Sequence, residues 1–210
     1  MIWTEEHTEK LVAEMKKAYP APECALDFGS TFQLLIAVAL SAQTTDKQVN
    51  VVTPALFRDY PDAFALAEAE PEEIENYIRR IGMYKTKARN IVAASRMLVE
   101  KYEGEVPDDF DELVQLPGVG RKTANVVLAV GWGIPAIPVD THVFRVSNRI
   151  GIVNEKDVLK TELGLMEKLP RGSWIDMHHA LIWHGRLVCK ARRPECEQCT
   201  LTGICSHFNE

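Results

Sequence analysis

Apolar positions along most of the chain recur with helical spacing, and no stretch alternates convincingly between apolar and polar residues. The segment 32–40 is almost entirely apolar, which is typical of a helix buried on every side. Residues 71–80 begin with a proline followed by acidic residues, as the first turn of a helix favours. The pattern predicts an all-α protein, with helices over residues 4–18, 32–40, 71–80, 85–102, 109–115, 122–130, 140–150, 155–168 and 174–188.

A turn-forming sequence stands directly before one of these helices. In Leu116-Pro117-Gly118-Val119-Gly120, the proline presets a turn and the two glycines permit backbone angles that a Cβ atom disfavours. Lys122 lies at the start of the helix that follows, so the amides of this turn lie at a helix N-terminus, where anions bind. A turn of this kind binds the backbone of a nucleic acid without reading its sequence.

Four cysteines near the end of the chain predict a metal centre. Cys189, Cys196, Cys199 and Cys205 leave gaps of six, two and five residues, and four thiolates in one loop can hold either zinc or an iron-sulfur cluster. Disulfides are the other alternative, but no signal peptide opens the chain and a fifth cysteine, Cys24, is left over.

The net charge of −6 is unusual for a protein that binds phosphates, but the charges are unevenly distributed. Residues 121–210 carry 12 Lys+Arg against 9 Asp+Glu, whereas residues 1–120 carry 12 against 21. The acidic tract 59–75 contains no basic residue, and we expect it to be a solvated face directed away from DNA. A basic cluster surrounds the first cysteine of the metal loop and is predicted to contact phosphates: Arg186, Lys190, Arg192 and Arg193.

Several motifs together resemble one family. These are Leu34-Leu35-Ile36-Ala37-Val38 leading into Ser41-Ala42-Gln43, then Ile81-Gly82-Met83-Tyr84, the turn with Lys122, Val139-Asp140-Thr141-His142, and the cysteines. In this order they resemble the endonuclease III family of the helix-hairpin-helix DNA glycosylase superfamily. The resemblance implies two lobes with a substrate cleft between them. Residues 23–134 would form a helical barrel-like lobe with the helix-hairpin-helix at about 109–131, and residues 1–22 plus 135–210 the cluster lobe.

The resemblance also implies an activity. The chain would be a bifunctional DNA glycosylase and apurinic/apyrimidinic lyase that removes oxidised pyrimidines from duplex DNA, with a 4Fe-4S cluster on the four cysteines. Lys122 would attack the sugar C1′ and form a Schiff base that permits β-elimination, while the Asp140 carboxylate would stabilise positive charge on the sugar. Because a lysine attacks only when neutral, we expect Lys122 to be partly buried. We expect a cytoplasmic, nucleoid-associated monomer of bacterial type that binds no membrane, since no apolar run reaches membrane-spanning length.

Further DNA contacts follow from the same resemblance. Gln43 and Met83 match the positions that fill the space left by an extruded base, although the family pattern has leucine where this chain has Met83. The remaining predicted contacts are Gly118, Val119, Gly120 and His142. Three other classes stay open on the residues alone. They are a monofunctional mismatch glycosylase, disfavoured by Lys122, a non-enzymatic helix-hairpin-helix DNA-binding module, and a small electron carrier.

Overall fold

A computed structural model of the chain describes residues 2–20 and 23–209. Within them the regular structure is helical and no strand occurs, so the predicted all-α class is confirmed. The α-helices are α1 (Glu5–Ala18), α2 (Thr31–Leu40), α3 (Asp46–Asp59), α4 (Ala63–Ala67), α5 (Pro71–Ile78), α6 (Tyr84–Tyr102), α7 (Phe110–Leu113), α8 (Arg121–Trp132), α9 (Thr141–Ile150), α10 (Val158–Lys168), α11 (Trp174–Leu187) and α12 (Ser206–Asn209). Short 3-10 turns span Arg171–Ser173, Cys196–Gln198 and Thr202–Ile204.

The chain divides into two compact units, Ala25–Ile134 and Met1–Cys24 with Pro135–Glu210. In the first unit, α2 packs against α8 and α6 packs against α4 and α5. Helix α2 lies in the interior of this unit because its sequence is apolar on every face. Its middle residues are all buried: Leu34, Leu35, Ile36 and Ala37. In the second unit, α9 packs against α10 and α11 around a core that includes Val143, Val146, Leu165 and Leu181.

Helix ends follow local capping chemistry. The Thr4 side chain caps α1 and the Thr45 side chain caps α3, each accepting from a backbone amide of the first turn. Helix α10 begins at Val158, later than the predicted residue 155, because the Asp157 carboxylate accepts from the Lys160 amide at 2.8 Å and fixes the first turn there.

The sequence pattern missed three helices, which are α3, α4 and the four-residue α12 (Ser206–Asn209). Helix α3 continues through Pro54, whose ring is tolerated although it removes one helical hydrogen bond. Helix α4 lies inside the acidic tract 59–75, which is therefore not simply a solvated face: Ala63 and Leu66 are buried and hold the tract against the rest of its unit. None of the helices described combines the length and the apolar character that a membrane crossing requires.

Candidate DNA-repair site

The hairpin turn joins α7 to α8 and uses its two glycines differently. Gly118 has a φ of 80°, and a Cβ atom there would lie 2.8 Å from the Cβ of Asn90 on α6. Gly120 caps α8 with an ordinary φ of −95°, and an added Cβ would meet no atom within 4 Å. The expectation of special backbone angles at both glycines is therefore wrong for Gly120. Its missing side chain instead leaves the start of α8 open to a ligand.

Val119, between the two glycines, is a packing residue of the turn. Its side chain is buried and its amide donates to the carbonyl of Leu116 at 3.0 Å. The predicted DNA contact at Val119 can therefore come only from the way this residue shapes the turn. A cation–π contact also stabilises the turn. The Arg121 guanidinium, at the start of α8, lies 5.0 Å from the centroid of the Phe110 ring, at the start of α7.

Lys122 is the second residue of α8 and its side chain is exposed. The expected partial burial of Lys122 is therefore wrong. The reason is its place in the first turn of α8, since the buried residues of this helix form a continuous run that begins only at Ala124. The amine is accessible at the positive end of its own helix, a position that disfavours a cation and favours an approaching anion.

Asp140 is half-buried in the other unit, where it caps α9. One oxygen, Oδ1, accepts from the amides of His142 and Val143, both at 2.8 Å. These bonds hold the carboxylate at the start of the helix, where the helix dipole favours negative charge. The segment leading to Asp140 is also fixed, because a ring nitrogen of His178, Nδ1, lies 2.8 Å from the carbonyl oxygen of Pro138.

Gln43 and Met83 lie at special backbone positions in the same unit as the hairpin. Three non-glycine residues among those described have φ in the left-handed region, and two of them are Gln43 (54°) and Met83 (57°). Gln43 precedes α3 in an exposed turn, and Met83 stands at the start of α6 with 54% of its surface exposed. An exposed apolar side chain on a strained turn is unusual, which is consistent with a functional constraint.

The four predicted metal ligands line one cavity in the C-terminal loop. Cys189 is buried, the other three are partly buried, and no disulfide forms among the described cysteines. Backbone amides hydrogen-bond two of the thiols, from Leu201 to Cys199 and from His207 and Phe208 to Cys205. Burial raises the pKa of both thiols, so a cationic centre would be needed to hold them as thiolates. No three His, Cys, Asp or Glu side chains of the described residues are arranged to hold a single metal ion.

Two arginines of α9 hold this loop, and the sequence analysis missed both. Arg145 donates through Nη2 to the carbonyls of Gly185 and Cys189, at 2.8 and 3.0 Å. Arg149 donates to the carbonyls of Lys190 and Ala191, at 2.8 and 3.1 Å. The available signal was their i, i+4 spacing, which places both guanidinium groups on one face of the helix.

The remaining predicted DNA contacts lie in the same unit as the cysteines. His142 is half-buried, with its Nδ1 3.3 Å from Nη2 of Arg145. Lys190 forms an ion pair with Glu195, and the Arg186 guanidinium lies 5.5 Å from the centroid of the Trp183 ring. Arg192 and Arg193 are exposed. Buried His184 lies beside this loop with Nε2 3.6 Å from Sγ of Cys199, and burial lowers its pKa to about 4.

Known proteins share this arrangement over nearly the whole chain. The family model of the HhH-GPD superfamily of base excision DNA repair proteins matches residues 36–171. The endonuclease III of Bacillus subtilis (strain 168) is 52% identical over 188 residues, covering 89% of this chain and 86% of that protein. The endonuclease III of Synechocystis sp. is 47% identical over 206 residues, covering 98% and 94%. A solved structure of a trapped covalent intermediate between endonuclease III and DNA, 47% identical, matches with a TM-score of 0.93 over 99% of this chain and 98% of that one. The chain therefore belongs to the endonuclease III family, within the HhH-GPD superfamily of base excision DNA repair proteins.

Proposed function

We propose that this protein is a bifunctional DNA glycosylase and apurinic/apyrimidinic lyase that removes oxidised pyrimidines from duplex DNA. The observation that carries the proposal is the exposed amine of Lys122 at the start of α8, directly behind the hairpin turn. The relative trapped covalently on DNA supports it, because a covalent intermediate needs a nucleophile.

The DNA backbone binds first, at the open N-terminus of α8. Helix amides and the positive end of the helix attract a phosphate, and the missing side chain at Gly120 allows close approach. A damaged base stacked in a duplex cannot be reached, so it is extruded from the helix. Gln43 and Met83 then occupy the vacated space, Gln43 by hydrogen bonding to the orphaned base and Met83 as an apolar wedge.

Chemistry follows at the sugar. The bond from C1′ to the damaged base breaks as the neutral Lys122 amine attacks C1′, and the base leaves with the bonding electron pair. The Asp140 carboxylate stabilises the positive charge that develops on the sugar, and we assign this role to Oδ2 because both cap bonds use Oδ1. Opening of the sugar ring gives a Schiff base, which acidifies the C2′ proton. Loss of that proton expels the 3′ phosphate by β-elimination.

Cys189, Cys196, Cys199 and Cys205 are the residues that would hold a 4Fe-4S cluster. All four line one cavity, and backbone amides are directed at two of the thiols, as the sulfur ligands of such a cluster require. The cluster would cross-link the C-terminal loop. Iron and acid-labile sulfide in the purified protein would support this assignment, and stoichiometric zinc without iron would refute it.

Trapping with borohydride tests the function. Borohydride reduces a Schiff base to a stable amine, so the wild-type protein should form a covalent adduct with a duplex that contains an abasic site. Lys122→Gln should form none, while Lys101→Gln, which alters an exposed lysine at the end of α6, should trap like wild type. Excision without any adduct would identify a monofunctional glycosylase, and binding without excision a DNA-binding module. An adduct formed equally by Lys122→Gln would refute the assigned nucleophile.

A further inference from the structure

One buried ammonium group joins the two turns that carry Gln43 and Met83. Lys87 lies in the first turn of α6, with only 6% of its surface exposed. Its Nζ donates to the carbonyl of Leu40 at 2.9 Å, the carbonyl of Ala42 at 2.7 Å and Oγ1 of Thr44 at 2.9 Å. These three acceptors match the three N–H donors of an ammonium group, so the charge is fully solvated by the protein.

Each acceptor lies on the segment that shapes the Gln43 turn. Leu40 is the last residue of α2, where helix carbonyls lack intrahelical partners and a cation is favoured. Ala42 and Thr44 are the two neighbours of Gln43 in the chain. The ammonium therefore fixes the Ala42 carbonyl before Gln43 and the Thr44 side chain after it. Gln43 itself is held at a φ of 54°, a conformation that non-glycine residues seldom adopt.

The backbone of the same residue is tied to Met83. The backbone amide of Lys87 donates to the carbonyl of Met83 at 3.0 Å, which closes the first turn of α6 directly behind the left-handed residue. Through its side chain and its backbone amide, Lys87 thus contacts both chain neighbours of Gln43 and the carbonyl of Met83. Burial lowers the pKa of Lys87, which shows that the charge is expensive to bury. An apolar residue would fill this site at lower cost if packing were its whole purpose.

We propose that Lys87 is a positioning residue for base extrusion, which sets the Gln43 turn and the Met83 turn at a fixed separation so that both side chains enter the duplex together. The inference rests on the proposed function, because Gln43 and Met83 matter in this way only if a base is extruded. Lys87 itself touches no DNA in this account. Substitution of Lys87 should therefore slow the reaction on substrates in which the space left by an extruded base must be filled. It should not slow the reaction on substrates without such a space.

The test compares two substrates for each variant. Single-turnover excision of thymine glycol from a duplex requires extrusion and filling of the gap. Strand cleavage at an abasic site in a single-stranded oligonucleotide requires neither, yet uses the same Lys122. Lys87→Met keeps the length of the side chain and removes the ammonium. We expect it to slow duplex excision by about 10- to 100-fold, the scale of a misplacement of about 1 Å. Single-strand cleavage should stay within about threefold of wild type, on the scale of an ordinary surface effect.

Two controls separate positioning from general damage to the fold. Ser95→Ala removes a buried hydroxyl of the same helix that donates to the Ile91 carbonyl, and it should leave the ratio of the two rates unchanged. Combining Lys87→Met with Gln43→Ala and Met83→Ala should add little further loss, because Lys87 acts through those side chains. If Lys87→Met fails to fold, Thr44→Val is decisive. It removes one of three acceptors and should lower duplex excision alone, by about three- to tenfold, the scale of one ordinary hydrogen bond.

Two kinds of result would contradict the proposals. An equal loss on both substrates, or full additivity with the Gln43 and Met83 variants, would overturn the role of Lys87 while leaving the proposed function intact. A wild-type protein that neither excises nor forms an adduct would overturn both proposals together.

Discussion

The two glycines of the hairpin turn should respond in opposite ways to the same substitution. At Gly118 an alanine would have to adopt a φ of 80°, which costs about 1 kcal/mol or more for a residue with a Cβ. The new Cβ would also lie 2.8 Å from the Cβ of Asn90 and 2.9 Å from its Nδ2. The Asn90 Cβ is fixed by the backbone of α6 and cannot rotate away. Crowding of this kind costs about 1–3 kcal/mol.

Together these terms predict that Gly118→Ala lowers the free energy of unfolding by about 2–4 kcal/mol. For a chain of this size that corresponds to a fall in melting temperature of roughly 5–15 °C. Gly120→Ala should change stability by less than about 0.5 kcal/mol, since its φ is ordinary and the new Cβ would meet nothing. Gly120→Ala should instead lower the affinity for DNA about tenfold, because the added methyl group would crowd one phosphate contact.

Urea unfolding followed by circular dichroism measures the first quantity, and fluorescence anisotropy with an abasic duplex measures the second. The two substitutions are chemically identical and lie two residues apart, so each serves as the control for the other. The reasoning would be refuted if Gly118→Ala were as stable as wild type, or if Gly120→Ala lost stability without losing affinity.

Three further predictions follow from the site. Asp140→Asn keeps an acceptor for the α9 cap but loses the anion, so excision should fall sharply while stability changes little; Asp140→Ala should lose excision and also about 1–2 kcal/mol of stability. Retained excision by Asp140→Asn would exclude the assigned role. Arg149→Met leaves the Lys190 and Ala191 carbonyls without their donor, so iron of the proposed cluster should be lost faster on incubation with a chelator. Arg192→Met, which alters an exposed arginine, should lose that iron at the wild-type rate. His179 lies buried on α11, with its ring centroid 4.8 Å from that of His178. Burial lowers the pKa of His179 below 6.5, so the stability it contributes is complete above pH 6.5 and is lost as the pH falls toward the folded pKa. His179→Gln should reduce the pH dependence of the free energy of unfolding, measured with urea, below pH 6.5. An unchanged pH dependence would contradict the assignment of this effect to His179.

Much of the fold is readable from the sequence wherever the apolar pattern and the capping residues agree. Helices α1, α2, α8, α9 and α11 begin and end within a few residues of their predicted bounds, because each has a clear apolar face or a defined cap. Helix α3 was missed because Pro54 in its middle reads as a stop signal, although the surrounding packing tolerates it. Helix α4 has five residues, too few to show a period.

The functional residues were predictable to the extent that they belong to compact motifs. The hairpin, Lys122, Asp140 and the cysteines are short motifs, and their order along the chain carries the resemblance. Exposure was not predictable in the same way. Lys122 is exposed because the buried run of α8 begins only at Ala124, and the point along a helix where burial begins depends on tertiary packing that the sequence does not display.

The residues that sequence reasoning missed share a physical feature. Four cations each donate to at least two backbone carbonyls, and these are Lys87, Arg96, Arg145 and Arg149. A carboxylate partner would appear in the sequence as a complementary charge, but every residue has a carbonyl, so the partners of these bonds cannot be read from the sequence. The same bonds explain why the net charge is a poor guide to whether this protein binds DNA. Cations that hold turns and loops in place are not available to phosphates, so the formal balance of charge says little about DNA binding. We expect the hairpin amides and exposed residues such as Arg192 to decide it instead.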